Sequence, residues 1–380
     1  MQDDVSIPNE LGATYDVILM RINTMSIPYV KLLLQRFVFG MRPLTSEELA
    51  TVATFDSLSG NFDSNLVLLH PDDVIQLCLG LVSKAQDNTV QLVHASVKEY
   101  FLARPKMLQS NQISVFNTGT GHDLIAYCCV KYILQGGWHN DVTEYPLLRY
   151  ACQFWPSHYS LSNKNPTLHD TVMEFFRDGH GLFMRSAKMN DDALWVHHHY
   201  GATLPLHYAV CFGLEDVIQN LIIHDQGFLK YCTGVHIAAV QGYTSIFKLL
   251  IDIVLDVDAN GGKYDDAMQA TFASVHGPTE IVNLLLEMGP RNVYEGKYGN
   301  ALQAASLEGH IEIVKLLLGM GAEVNLAWRQ MHYKLHHLNP TYKNTLEVAS
   351  FSGYVKVTFG CTRVALVRRQ PQDNLGLLSP

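Results

Sequence analysis

The chain has 380 residues, of which 48% are apolar and only 17% charged, and its net charge is −9. The apolar share excludes wholesale disorder, and the length predicts two or three domains rather than one core. The acidic balance disfavours nucleic acid and anionic lipid as partners, because phosphate binding starts from clustered Lys and Arg.

Seven cysteines, Cys78, Cys128, Cys129, Cys152, Cys211, Cys232 and Cys361, include no C-x-x-C pair, which argues against a disulfide framework or a zinc ribbon. Residues 1–10 form an extension with Asp3, Asp4 and Glu10 and no apolar core, unlike a secretory signal. No apolar run approaches the roughly 18–20 residues of a membrane span. The expectation is a soluble, cytoplasmic protein without a membrane partner.

Apolar spacing predicts helices over Thr14 to Thr24 and Ile27 to Phe39, with Ile18, Ile22, Leu33 and Phe37 facing inward. Thr45 and Glu48 form a capping-box pair that opens a third helix through Leu49 to Phe55. A fourth helix starts at Asp72 and Asp73 and ends near Gly80. Leu81 to Ala85 and Val90 to His94 then read as two strands about the turn Gln86-Asp87-Asn88-Thr89.

Helices followed by a hairpin predict a winged helix over residues 11–105. Two strings, Phe39-Gly40-Met41-Arg42-Pro43-Leu44-Thr45-Ser46-Glu47-Glu48-Leu49 and Leu92-Val93-His94-Ala95-Ser96-Val97-Lys98-Glu99-Tyr100-Phe101-Leu102, carry a resemblance. The segment is similar to the winged-helix domain that follows the NTPase in fungal NACHT–ankyrin proteins, a module also named for the GPI inositol-deacylase. Residues 1–105 hold seven Lys and Arg against twelve Asp and Glu, a net −5, and the third helix bears Glu47 and Glu48. DNA docking by this module is therefore disfavoured. Residues 106–196 read as a helical, aromatic-rich region in which Pro146 to Ala151, Trp155 and His158 continue the same resemblance.

From Ala202 the chain repeats itself. Lys263-Tyr264, Ala267-Met268-Gln269-Ala270 and Glu280-Ile281-Val282 are echoed by Lys297-Tyr298, Ala301-Leu302-Gln303-Ala304 and Glu312-Ile313-Val314, with 34 residues between Gln269 and Gln303. Earlier copies run from Thr203 through Pro205, His207 and Ala209 to Gly213, and from Val235 through His236 and Ala239 to Gly242. A broken copy runs from Asn344 to Gly353. These residues resemble the ankyrin repeat, with its period of 33 and its T-P-L-H-x-A signature. The resemblance covers residues 202–358, about four repeats with the last incomplete, followed by a non-repeat tail at 359–380.

Each signature residue has a physical reason. Pro205 suits the first turn of a helix, and His207 and His236 would lock the turn before it. Ala209, Ala239, Ala270 and Ala304 keep neighbouring helices close. Gly213, Gly242 and Gly309 suit a left-handed helix end. The Ile-Val-x-Leu-Leu-Leu runs supply a buried stripe that one repeat cannot bury alone. Gln269 and Gln303 replace the signature histidine, and the finger between Asn325 and Lys343 is lengthened: Gly309 and Gly353 lie 44 residues apart.

Chemistry-bearing motifs are missing from the sequence. It has no G-x-x-x-x-G-K-[ST] loop and no G-x-S-x-G elbow; Ser57-Leu58-Ser59-Gly60 lacks the leading glycine. In His197-His198-His199 consecutive rings point in different directions, and no carboxylate or cysteine joins them at ligand spacing. The expectation is a mainly α protein without enzyme activity, cofactor, metal or small-molecule substrate, which presents an ankyrin surface to a protein partner. Tyr264, Asp265, Tyr298 and Asn300 are the candidate partner-binding residues. The alternative is the C-terminal regulatory and ligand-sensing half of a NACHT-type signalling NTPase whose nucleotide-binding domain is missing from this chain.

Overall fold

The computed structural model describes residues 9–55, 71–103, 116–135, 145–178, 186–189, 205–224, 228–253, 279–288, 305 and 310–319. It divides into two units, Met1–Leu194 and Trp195–Pro380.

In the first unit, α1 spans Asn9–Met20 and α2 spans Ile27–Phe39. Helix α1 ends four residues before the predicted Thr24. Asn23 accepts the Met25 N–H at 3.0 Å and starts a separate 3-10 turn, Thr24–Ser26, so its side chain competes with the helix for backbone donors. Helix α2 carries Val30, Leu32, Leu33, Leu34, Val38 and Phe39 inside, and a helix apolar on nearly every face sits at the centre of its unit.

Strand β1 (Leu44–Thr45), α3 (Ser46–Val52), α4 (Asp73–Leu77), β2 (Val82–Lys84), β3 (Thr89–Leu92) and α5 (Ala95–Ala103) follow. The three strands form an antiparallel sheet in the order β1-β3-β2, with Leu44 opposite Val90 and Val82 opposite Leu92. The strand β1 is too short to announce itself in the sequence. Its last residue, Thr45, is also the N-cap of α3, and the predicted capping box forms: Thr45 Oγ1 accepts the Glu48 N–H at 3.3 Å while Glu48 Oε2 accepts the Thr45 N–H at 2.9 Å. Between β2 and β3, Asn88 takes a left-handed φ of 65°, and Asp87 accepts from the Thr89 amide and hydroxyl.

Three longer helices follow, α6 (Thr118–Leu134), α7 (Leu148–Leu161) and α8 (Pro166–Asp178), and a helical turn at 186–188 comes after them. Helix α6 packs along α7 and also touches α8 and α2. Trp155 is fully buried, with its ring 5.4 Å from Phe175 and 6.1 Å from Phe176.

The second unit contains α9 (Pro205–Cys211), α10 (Glu215–His224), α11 (Phe228–Gln241), α12 (Thr244–Ile251), α13 (Thr279–Met288) and α14 (Ile311–Gly319). They are layered. The first helices α9 and α11 pack on each other, while α12 packs on α13 and α13 on α14. The buried stripe recurs at Val217 and Ile218, at Ile246, Phe247 and Leu250, at Ile281, Val282 and Leu285, and at Ile313, Val314 and Leu317. Each fully buried aliphatic side chain contributes roughly 1.5–3 kcal/mol, and here that burial comes from neighbouring helix pairs. Exposed links between layers, Ser245 to Glu215 at 3.0 Å and Lys248 to Glu280 at 2.8 Å, add little because water and salt screen them.

The first helices end alike. Gly213 and Gly242 have φ of 67° and 74°. The Leu214 N–H reaches back to the Ala209 carbonyl at 2.9 Å and the Tyr243 N–H to Ala238 at 3.0 Å, while Gly213 bonds Val210 and Gly242 bonds Ala239. This paired closure is a Schellman motif. The His310 N–H repeats the longer bond to Ala305 at 2.9 Å. Among the described residues, no single helix is long and apolar enough to cross a membrane.

Gly213→Ala should destabilise the second unit by about 1–2 kcal/mol in urea denaturation, since an L side chain is strained at that φ and its Cβ would also meet the Tyr243 ring at 3.2 Å. Gly319→Ala, where a Cβ meets nothing within 4 Å, should leave the midpoint unchanged or raised.

Candidate functional site

The repeat unit positions its signature residues by the closure just described. Pro205 opens α9 at its first residue, and His207 lies two residues further on, 4% exposed. The closure corrects the alanine register: Ala209, Ala238 and Ala305 are equivalent, rather than Ala239 and Ala304, because each accepts the amide five residues on. All three are fully buried.

His236 is not in a turn. It lies inside α11, which runs from Phe228. The cause is Gly234, which stands where Pro205 stands one repeat earlier and still carries an N–H, so the helix continues backward instead of starting there. A Cβ on Gly234 would come within 3.1 Å of Leu250, so this glycine also sets the approach of α11 to α12. His236 is 1% exposed, and its Nδ1 has no partner among the described residues.

Thr203, Gln269, Gln303, Gly309, Tyr264, Asp265, Tyr298 and Asn300 lie outside the described residues. Counting eleven residues back from the signature glycine in the sequence, the place held by Tyr298 before Gly309 is held by Tyr231 before Gly242, within α11. Sequence reading passed over Tyr231; the frame set by the glycines finds it.

The first unit holds a buried polar string. The Met41 N–H donates to Tyr150 Oη at 3.2 Å, Tyr150 Oη and His158 Nε2 are 2.8 Å apart, and His158 Nδ1 and His122 Nδ1 are 2.8 Å apart. With Tyr150 accepting from Met41, its hydroxyl donates to His158 Nε2, and His158 Nδ1–H then donates to His122. Both rings stay neutral. Burial, Arg36 and His122 hold the pKa of His158 down to about 2, and burial lowers that of His122. Arg42 grips both oxygens of Glu48, at 2.6 and 2.8 Å, and lies over the Tyr150 ring, so the 40–45 connection is tied to α7.

Burial pushes the thiols of Cys78, Cys129 and Cys152 up to about 12 and raises that of Cys128. Thiols held protonated are poor nucleophiles and poor metal ligands. Among the described residues, no three His, Cys, Asp or Glu side chains converge on a metal position.

Comparison with known proteins gives the class first: the family model described as Ankyrin repeats (3 copies) matches residues 206–293 and 235–327. The chain therefore carries ankyrin repeats. It is also similar to the azaphilone pigments biosynthesis cluster protein L of Monascus ruber, being 28% identical over 311 residues that cover 75% of this chain and 60% of that protein. The chain thus spans about 60% of the length of the curated relative it matches.

Burial holds the His236 pKa down to about 4 from the ordinary 6.5. The folded chain keeps this ring neutral, whereas the unfolded chain takes up a proton below about pH 6.5. Its contribution is therefore complete above that pH and drains away toward pH 4, by up to about 3 kcal/mol. His236→Gln, which installs the residue present at Gln303, should flatten this part of the pH profile of urea stability. An unchanged slope would place the titrating group elsewhere.

Proposed function

We propose that this chain is a non-catalytic interaction scaffold whose stacked repeats present finger tips and first helices to a protein partner in the cytoplasm. The observation that carries this reading is the layering: α9 on α11, then α12 on α13 and α13 on α14, with the same helix-end bond at Leu214, Tyr243 and His310. Stacking of this kind uses up the buried stripe of each repeat and leaves a long, variable outer surface free to bind. Tyr264, Asp265, Tyr298 and Asn300 are the proposed contacts, with Tyr231 in frame beside them. Residues 11–105 serve as a winged-helix packing module of the fungal NACHT–ankyrin type, a role supported by the three-stranded sheet and the capped α3 behind it.

A second reading draws support from the share of the relative that the chain spans, about 60%. In it, the chain is the regulatory half of a NACHT-type NTPase, and an in-frame phosphate-binding loop upstream in the transcript would favour it over a free-standing scaffold.

The full chain used as bait should recover a protein partner in stoichiometric amount at physiological salt. The double variant Tyr264→Ala, Tyr298→Ala should lose at least about 90% of it with helix content unchanged, since interface aromatics carry a large share of binding energy. Recovery at background, or equal recovery by the variant, would overturn the proposed contacts.

A further inference from the structure

Strand β1 stops short of its partner. The Ser46 N–H donates to the Asn88 carbonyl at 3.3 Å, and Leu44 lies opposite Val90. Bonded and unbonded pairs alternate along an antiparallel ladder, so the bonded rungs on this side of β3 join Ser46 to Asn88 and Leu44 to Val90. The same register puts Arg42 opposite Leu92 as the next bonded rung. That rung is not made: β1 begins at Leu44, and the Arg42 side chain turns to Glu48 and to the Pro43 carbonyl. On its other side the central strand bonds through alternate residues, the Ala85 N–H reaching the Thr89 carbonyl at 2.8 Å and the Val93 N–H the Leu81 carbonyl at 3.1 Å. The Leu92 N–H and C=O therefore both point toward the line along which β1 would continue, and neither has a hydrogen-bond partner among the described residues.

A cavity of about 230 Å³ opens at this fork, lined by Arg42, Pro43 and Leu44 on one side and by Val90, Gln91 and Leu92 on the other. Leu49 of α3 lines it as well, and Leu44, Leu49 and Val90 are at most 2% exposed. An N–H and a C=O held without partners against apolar side chains are costly, and a ligand that supplies both partners removes that cost. Only one rung is open, because β3 ends at Leu92, Val93 is bonded to Leu81, and α5 starts at Ala95. An added strand would gain a single pair of bonds there, so the fork suits a compact ligand rather than a peptide.

We propose that the fork between β1 and β3 binds a small planar lactam, whose N–H donates to the Leu92 carbonyl and whose C=O accepts the Leu92 N–H while its apolar rings rest on Leu44, Leu49 and Val90. A lactam carries its N–H and C=O side by side on one edge, which is how a strand residue meets its opposite number across a bonded rung. The cavity is smaller than those that take drug-sized molecules, so the ligand is of the size of two fused rings. The site is independent of the repeat surface.

Titration of the full chain with carbostyril, a benzo-fused lactam, followed at the Leu92 amide by nitrogen–proton correlation NMR, tests the assignment. N-Methylcarbostyril keeps the rings and the carbonyl but has no N–H, and serves as the control. The Leu92 amide proton should move downfield saturably with a one-site isotherm, and the control should bind at least tenfold more weakly. Leu49→Phe, which fills the cavity from α3, should abolish the shift. Should Leu49→Phe fail to fold, the Leu92 response and the ratio between the two compounds decide. Absence of a saturable shift at Leu92, equal binding of the methylated compound, or binding indifferent to Leu49→Phe overturns the proposal. So does a Leu92 shift produced by the blocked tripeptide acetyl-Val-Leu-Val-amide and not by carbostyril, which would mark an added strand.

Discussion

An amide that reaches five residues back fixes, at three places among the described residues of the second unit, how a first helix stops and where the next helix starts. Leu214, Tyr243 and His310 all make this bond, and each residue's carbonyl then accepts the first bond of the following helix, from Ile218, Phe247 and Val314. Because the hand-over is the same each time, the buried pairs Val217 and Ile218, Ile246 and Phe247, and Ile313 and Val314 fall three and four residues after the bonded amide in each case. Without that angle the apolar stripes would not meet, and a single repeat has nothing else to bury them against.

The first unit is held differently. Its central helix, α2, places Gln35 and Arg36 among aliphatic residues, and α6 and α7 meet that polar face with His122, Tyr150 and His158. A polar chain of this kind specifies one arrangement of the three helices, since a slip of one turn would strand several buried donors and acceptors. Capping adds a local constraint: Glu48 collects the Thr45 amide and both arms of Arg42, which pins the short β1 to the start of α3.

What the sequence makes legible follows from how local each feature is. Gly213 and Gly242 are readable because a left-handed helix end favours glycine, and the Thr45 and Glu48 pair because a capping box spans three residues. Less local features escape. Adjacent alanines at 238–239 and 304–305 look interchangeable in the sequence, and only the backbone bond selects Ala238 and Ala305. The long α11 is hidden by reading His236 as a turn residue, when the missing proline at Gly234 removes the signal that would start a helix there. Nothing local links Arg36, His122, Tyr150 and His158, whose meeting depends on the packing of α2, α6 and α7. The Tyr231 position shares this history, since its frame emerges only once the glycine closure is known.

Hydrogen exchange at three amides tests the layered account most directly. In the full chain at neutral pH, Leu214, Tyr243 and His310 should be protected and should lose protection together as urea is added, because each bond depends on the layer beside it. Protection confined to Leu214, with Tyr243 and His310 exchanging at the rates of an unstructured peptide, would contradict a stack in which all the repeats close alike.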